Sequence, residues 1–107
     1  MKTMTLLLSL GLTAYLVTAQ AQDSYTLTIT DHGVEPQTLV VPAGVKIPLA
    51  VVNRTSGPIE LEGKAFNSEM VAPPNGQTKG YIGPLQAGDY AFYNDYNRQM
   101  TGMIRSH

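Results

Sequence analysis

Beyond its first twenty or so residues this chain never holds a helical apolar period over about ten positions; it alternates at period two, in short runs cut by Gly, Pro and Asn. Such punctuation leaves strands as the regular element. Tyr25-Thr26-Leu27-Thr28-Ile29-Thr30 puts Tyr25, Leu27 and Ile29 on one face of a half-buried strand. Asp31-His32-Gly33 breaks that run, and Pro36 restarts the chain before Thr38-Leu39-Val40-Val41. Pro42-Ala43-Gly44 has tight-turn chemistry, with Pro setting φ and Gly free to take a positive one. Lys46 to Val52 carries Ile47, Leu49 and Val51 on one face, and Pro48 within it predicts a sheet edge or a bulge. Ile59-Glu60-Leu61-Glu62 alternates again, and further short strands are predicted at Glu69 to Val71, Tyr81-Ile82, Tyr90 to Tyr93 and Thr101 to Arg105. The fold class read from this is all-β: a small antiparallel Greek-key β-sandwich of seven or eight short strands.

The first residues read as an address. Lys2 precedes an apolar run from Met4 to Val17, and Ala19-Gln20-Ala21 offers the small-x-small pattern of a cleavage site. Residues 1–21 are therefore expected to be a signal peptide, with residues 22–107 a single exported domain. The run is shorter than the roughly 20 residues a bilayer demands, so an integral membrane protein is not expected. Seven Lys and Arg against eight Asp and Glu give a net charge of −1, and losing Lys2 with the leader takes it to about −2. That balance makes no case for nucleic acid. The chain has no Cys, which excludes disulfides and thiolate-bound metal. A small exported domain without disulfides needs another staple, such as a metal, a partner or a well-packed core.

The order of these signals is similar to a cupredoxin. Glu35-Pro36-Gln37-Thr38-Leu39-Val40-Val41-Pro42-Ala43-Gly44 resembles that family's opening pattern, Asn53 falls where it places an Asn after the third strand, and Ile82-Gly83-Pro84-Leu85 with Gly88-Asp89-Tyr90-Ala91-Phe92 looks like the hairpin before its metal-binding loop. Asp31 to Pro36, Glu60-Leu61-Glu62, Asn67-Ser68-Glu69 and Ile82 to Leu85 stand in the order found in the EfeO-type, ferrous-iron-permease-associated periplasmic cupredoxins. The resemblance implies a periplasmic protein that binds copper or iron and assists ferrous-iron uptake or oxidation. It also implies an iron permease or a periplasmic iron-binding protein as partner. That group carries a Phe-His pair in its last loop where this chain has Tyr96-Asn97, so its site is either lost here or rebuilt around Met100 and Met103.

The residues themselves narrow the chemistry. A blue-copper centre needs two His and a Cys with a weak axial ligand, usually Met; with His32, His107 and no Cys, that centre cannot form. Imidazole and carboxylate suit Fe or Cu(II), whereas thioether sulfur suits Cu(I). The candidate metal ligands are His32 at the first turn, Glu60 and Glu62 on one strand face, Glu69, and the soft pair Met100 and Met103. In a cupredoxin arrangement these gather at one end of the sandwich, with Asp95 to Met103 as a long last loop. Each has a plainer reading: a solvated turn His, a solvated acidic face, or Met as core filler. Terminal His107 is expected to be disordered. No nucleophile and base pair suggests a hydrolase. The alternative to a metal protein is a metal-free sandwich that docks on a membrane-protein partner.

Overall fold

The computed structural model describes residues 24–107, so the expected leader and its cleavage point lie outside the described residues. Among the described residues nine strands run in order: β1 (Tyr25–Thr30), β2 (Gly33–Glu35), β3 (Thr38–Val41), β4 (Ile47–Asn53), β5 (Ile59–Gly63), β6 (Met70–Ala72), β7 (Gln77–Ile82), β8 (Gly88–Asn94) and β9 (Asn97–Ser106). They form a four-stranded sheet, β2-β1-β4-β7, and a five-stranded sheet, β3-β9-β8-β5-β6. The two sheets make a β-sandwich around one core. No helix among the described residues is long and apolar enough to cross a membrane.

Four sequence expectations need correction. The sheets are mixed rather than antiparallel, because β1 runs parallel to β4 and β3 parallel to β9. After β2 the chain crosses to the second sheet for β3 and returns, so β4 arrives beside β1 in the same direction. The count is nine because Gly33, at φ +135°, lets the chain fold back on β1 and add β2. The stretch from Asp95 to Met103 is not a long loop: β9 begins at Asn97, leaving Asp95 and Tyr96 as a tight turn. Nor do Ile82-Gly83-Pro84-Leu85 and β8 make a hairpin, since β7 and β8 belong to different sheets.

Elsewhere the period-two pattern translates directly into packing. Tyr25, Leu27 and Ile29 enter the core from β1, and Ile47, Leu49 and Val51 from β4. Pro48 lies in a central strand, but at the residue before the β1 ladder starts at Tyr25 and Leu49, so the sheet has a local edge there. Phe92 fills the middle of the five-stranded sheet, paired with Gly63 on one side and Gly102 on the other. A Cβ on Gly102 would fall 2.4 Å from the Phe92 ring, so the ring occupies the space a side chain there would need. Phe66 adds an edge-on contact with that ring, centroids 5.6 Å apart.

Asn53 ties the connections together. Its Nδ2 donates to the carbonyls of Gly57, Ala72 and Pro73, and its Oδ1 accepts from the backbone N–H and hydroxyl of Thr55. At 1% exposure it is inaccessible to glycosylation, although Asn53-Arg54-Thr55 spells a sequon. His107 is not loose at its backbone: its N–H donates to Val41 and its carbonyl accepts from Ala43.

Candidate metal centre

Alternation on β5 sends Ile59 and Leu61 into the core and Glu60 and Glu62 to the opposite face. Pairing of β5 with β8 brings the end of β8 alongside, and there the chain turns. The Glu60 N–H donates to Asn94 Oδ1 at 2.9 Å, and the Asp95 N–H donates back to the Glu60 carbonyl at 2.8 Å. These two bonds hold the Asp95 turn over β5. Carboxylate oxygens of Glu60, Glu62 and Asp95 consequently lie within 4.8 Å of one another. Glu69, on the segment entering β6, adds its negative charge beside Glu60. With Glu62 it lines a depression of about 230 Å³ that also includes Phe66, Asn67 and Ser68.

The electrostatics of this cluster are one-sided. Glu60 is only 7% exposed, and its carboxyl is held above its ordinary value, first by burial and then by the charges of Glu69, Glu62 and Asp95. Among the described residues no cation pulls it down. The counter-charge stands at the rim, where Arg98 pairs with Asp95 at 2.8 Å and lies over the Tyr93 ring, 5.0 Å from its centroid. The Tyr93 hydroxyl in turn donates to Glu62 Oε2 at 3.3 Å.

None of the remaining candidates lines the depression at Glu62 and Glu69. His32 is exposed at the β1–β2 turn, its N–H bonded to Thr30 Oγ1. With Asp31, Asn97 and Met100 it lines a separate depression of about 180 Å³, which shares no lining residue with the one at Glu62 and Glu69. Met100 packs partly against the core, and its sulfur accepts weakly from Asn94 Nδ2 at 3.9 Å. Met103, three positions on along β9, stands on the strand's other face, so Met100 and Met103 cannot close on one ion. His107 is at the far end of β9. Sequence reasoning brought Glu60, Glu62 and Glu69 together but missed Asp95, Tyr93 and Arg98. The acidic residue following Asn94 was the available signal, and it becomes informative only once β5 is known to pair with β8.

Fold and sequence together define a class. The profile of the cupredoxin-like domain family matches residues 3–104, and the chain belongs to that family. Among solved structures it is similar to a purple cupredoxin from Nitrosopumilus maritimus, at 15% identity over 78% of this chain and 100% of that one, with a TM-score of 0.61. It is also similar to reduced auracyanin from Roseiflexus castenholzii, at 15% identity over 82% and 99%, TM-score 0.64. A reduced amicyanin variant matches at 16% identity over 88% and 89%, TM-score 0.62. At such identities the likeness is one of fold. No curated protein matches the sequence. The residues present do not fit a type 1 copper ion, because the thiolate that defines the trigonal plane has no counterpart in a chain without Cys.

Proposed function

We propose that this is an exported, periplasmic cupredoxin-like protein that binds copper or iron at Glu60, Glu62 and Asp95, with Glu69 at the rim. It would assist ferrous-iron uptake or oxidation beside an iron permease or a periplasmic iron-binding protein, as the EfeO-type proteins it resembles are expected to do. The observation that carries the reading is the convergence of three carboxylates within 4.8 Å around a nearly buried Glu60. Like charges gathered this closely repel, and a multivalent cation is the ligand that would relieve them. Glu and Asp side chains hold iron in di-iron carboxylate proteins, so the donor type is suited to the task. His32 and Met100 offer a softer pair in their own depression, suited to Cu(I).

The test is calorimetric titration of residues 22–107 with Fe(II), Cu(II) and Cu(I) under controlled oxygen, with Ca(II) as a hard-ion control. Saturable Fe(II) or Cu(II) binding that weakens at least about tenfold in Glu62→Gln supports the reading. Absence of binding by all of the ions would reject it and leave a sandwich used for docking on a partner.

A further inference from the structure

We infer that Arg98 is the resident counter-ion of the carboxylate cluster, a tethered cation that an incoming metal ion must displace from Asp95. The inference deepens the proposed metal reading and rests on it. Two observations carry it besides the acidic cluster itself. Glu60 is more than nine-tenths buried, its carboxylate lies within 4.8 Å of those of Glu62 and Asp95, and the charged groups that act on it are all carboxylates. Arg98 reaches that site from outside: its side chain is 71% exposed, yet Nη2 sits 2.8 Å from Asp95 Oδ1.

Arg98 is built to leave. It is the second residue of β9, and its guanidinium is held by one Asp95 oxygen and the face of Tyr93. An exposed pair of this kind is weak, and the long side chain can swing into water at little cost. The Tyr93 ring gives the guanidinium a resting place that does not depend on Asp95. The Tyr93 hydroxyl meanwhile stays on Glu62, so the ring remains in place when Arg98 moves. A tethered unit charge also sets a threshold. A monovalent ion replaces Arg98 like for like and gains little, whereas a divalent or trivalent ion brings charge the arginine cannot match.

The experiment compares wild type with Arg98→Ala and Arg98→Lys by titration with Fe(II) and Cu(II). Loss of the competitor should tighten binding in Arg98→Ala several-fold, towards the roughly sixteenfold that a unit charge about 5 Å from a divalent ion is worth in unscreened water. Arg98→Lys, which keeps the charge, should stay near wild type. In wild type, saturating Zn(II) as a diamagnetic probe should move the Arg98 Hε resonance, while the Tyr93 ring signals keep their packing contacts. Unchanged or weaker binding in Arg98→Ala overturns the inference and leaves the metal site standing. No binding by either protein rejects the metal reading and the inference with it.

Discussion

Asn94 Oδ1 accepts the Glu60 N–H at 2.9 Å, joining the end of β8 to the start of β5 at the point where the acidic cluster forms. The same oxygen accepts the Tyr96 N–H at 3.2 Å, which closes the β8–β9 turn, while Nδ2 faces the Met100 sulfur. Asn94→Leu keeps approximate volume but strands the buried Glu60 amide. It should cost about 1–3 kcal/mol, the usual penalty for an unsatisfied buried donor, as read by urea unfolding. A midpoint equal to wild type would show that Asn94 does not organise the turn.

That bond also shows why the fold was more legible than the site. The alternation of Tyr25, Leu27 and Ile29, or of Ile47, Leu49 and Val51, is written in consecutive residues, and burial follows it. Glu60 and Glu62 were recognisable as a shared face for the same reason. Asp95 was not, because its place beside Glu60 depends on β5 pairing with β8 across 34 residues, a choice that local pattern does not encode. The strand character of Asn97 to Met100 was hidden similarly. Polar residues there read as loop, yet pairing with β8 and the Arg98–Asp95 contact close them into a hairpin. Met100 and Met103 looked like a pair by spacing, and only the strand assignment puts them on opposite faces.

Phe92 and Gly102 provide a steric test free of backbone strain. Gly102→Ala would drive a methyl to 2.4 Å from a ring that is 1% exposed and flanked on its other side by Gly63. Overpacking of this kind costs about 1–3 kcal/mol. Phe92→Leu in the same background should recover part of the loss even though it is destabilising alone. A double-mutant cycle with no coupling between the two positions would contradict the contact.

Asn53 should be the most sensitive polar position in the described domain. Asn53→Asp preserves size and the acceptor for Thr55, but replaces the donor facing Gly57, Ala72 and Pro73 with a carboxylate against three carbonyls. A buried charge without donors either destabilises the fold or takes up a proton. At neutral pH the variant should lose at least about 2–3 kcal/mol by thermal or urea unfolding, and acidification should recover part of it. Wild-type stability in Asn53→Asp at pH 7 would count against this network.

The last prediction concerns pH in the metal-free protein. Glu60 has its carboxyl raised above the ordinary 4.5 by burial and by the Glu69, Glu62 and Asp95 carboxylates. A carboxyl raised in the folded state binds its proton more tightly there than in the unfolded chain, so its contribution to stability falls as pH rises between the unfolded and folded values. Acidifying from neutral towards about pH 5 should therefore raise Tm, and Glu60→Gln should remove that component of the slope. Asp89 works in the opposite sense. Its bond to Arg105 holds it below the ordinary 3.8, so that pair's contribution is present above 3.8 and lost only in stronger acid. The two effects occupy different pH windows, and subtracting the Glu60→Gln profile from wild type isolates the first. A saturating cation should flatten or reverse the wild-type slope above pH 5, because ion and proton compete for the same oxygens. If the metal-free wild type and Glu60→Gln give parallel Tm profiles from pH 5 to 7, Glu60 does not carry the repulsion on which the cation reading depends.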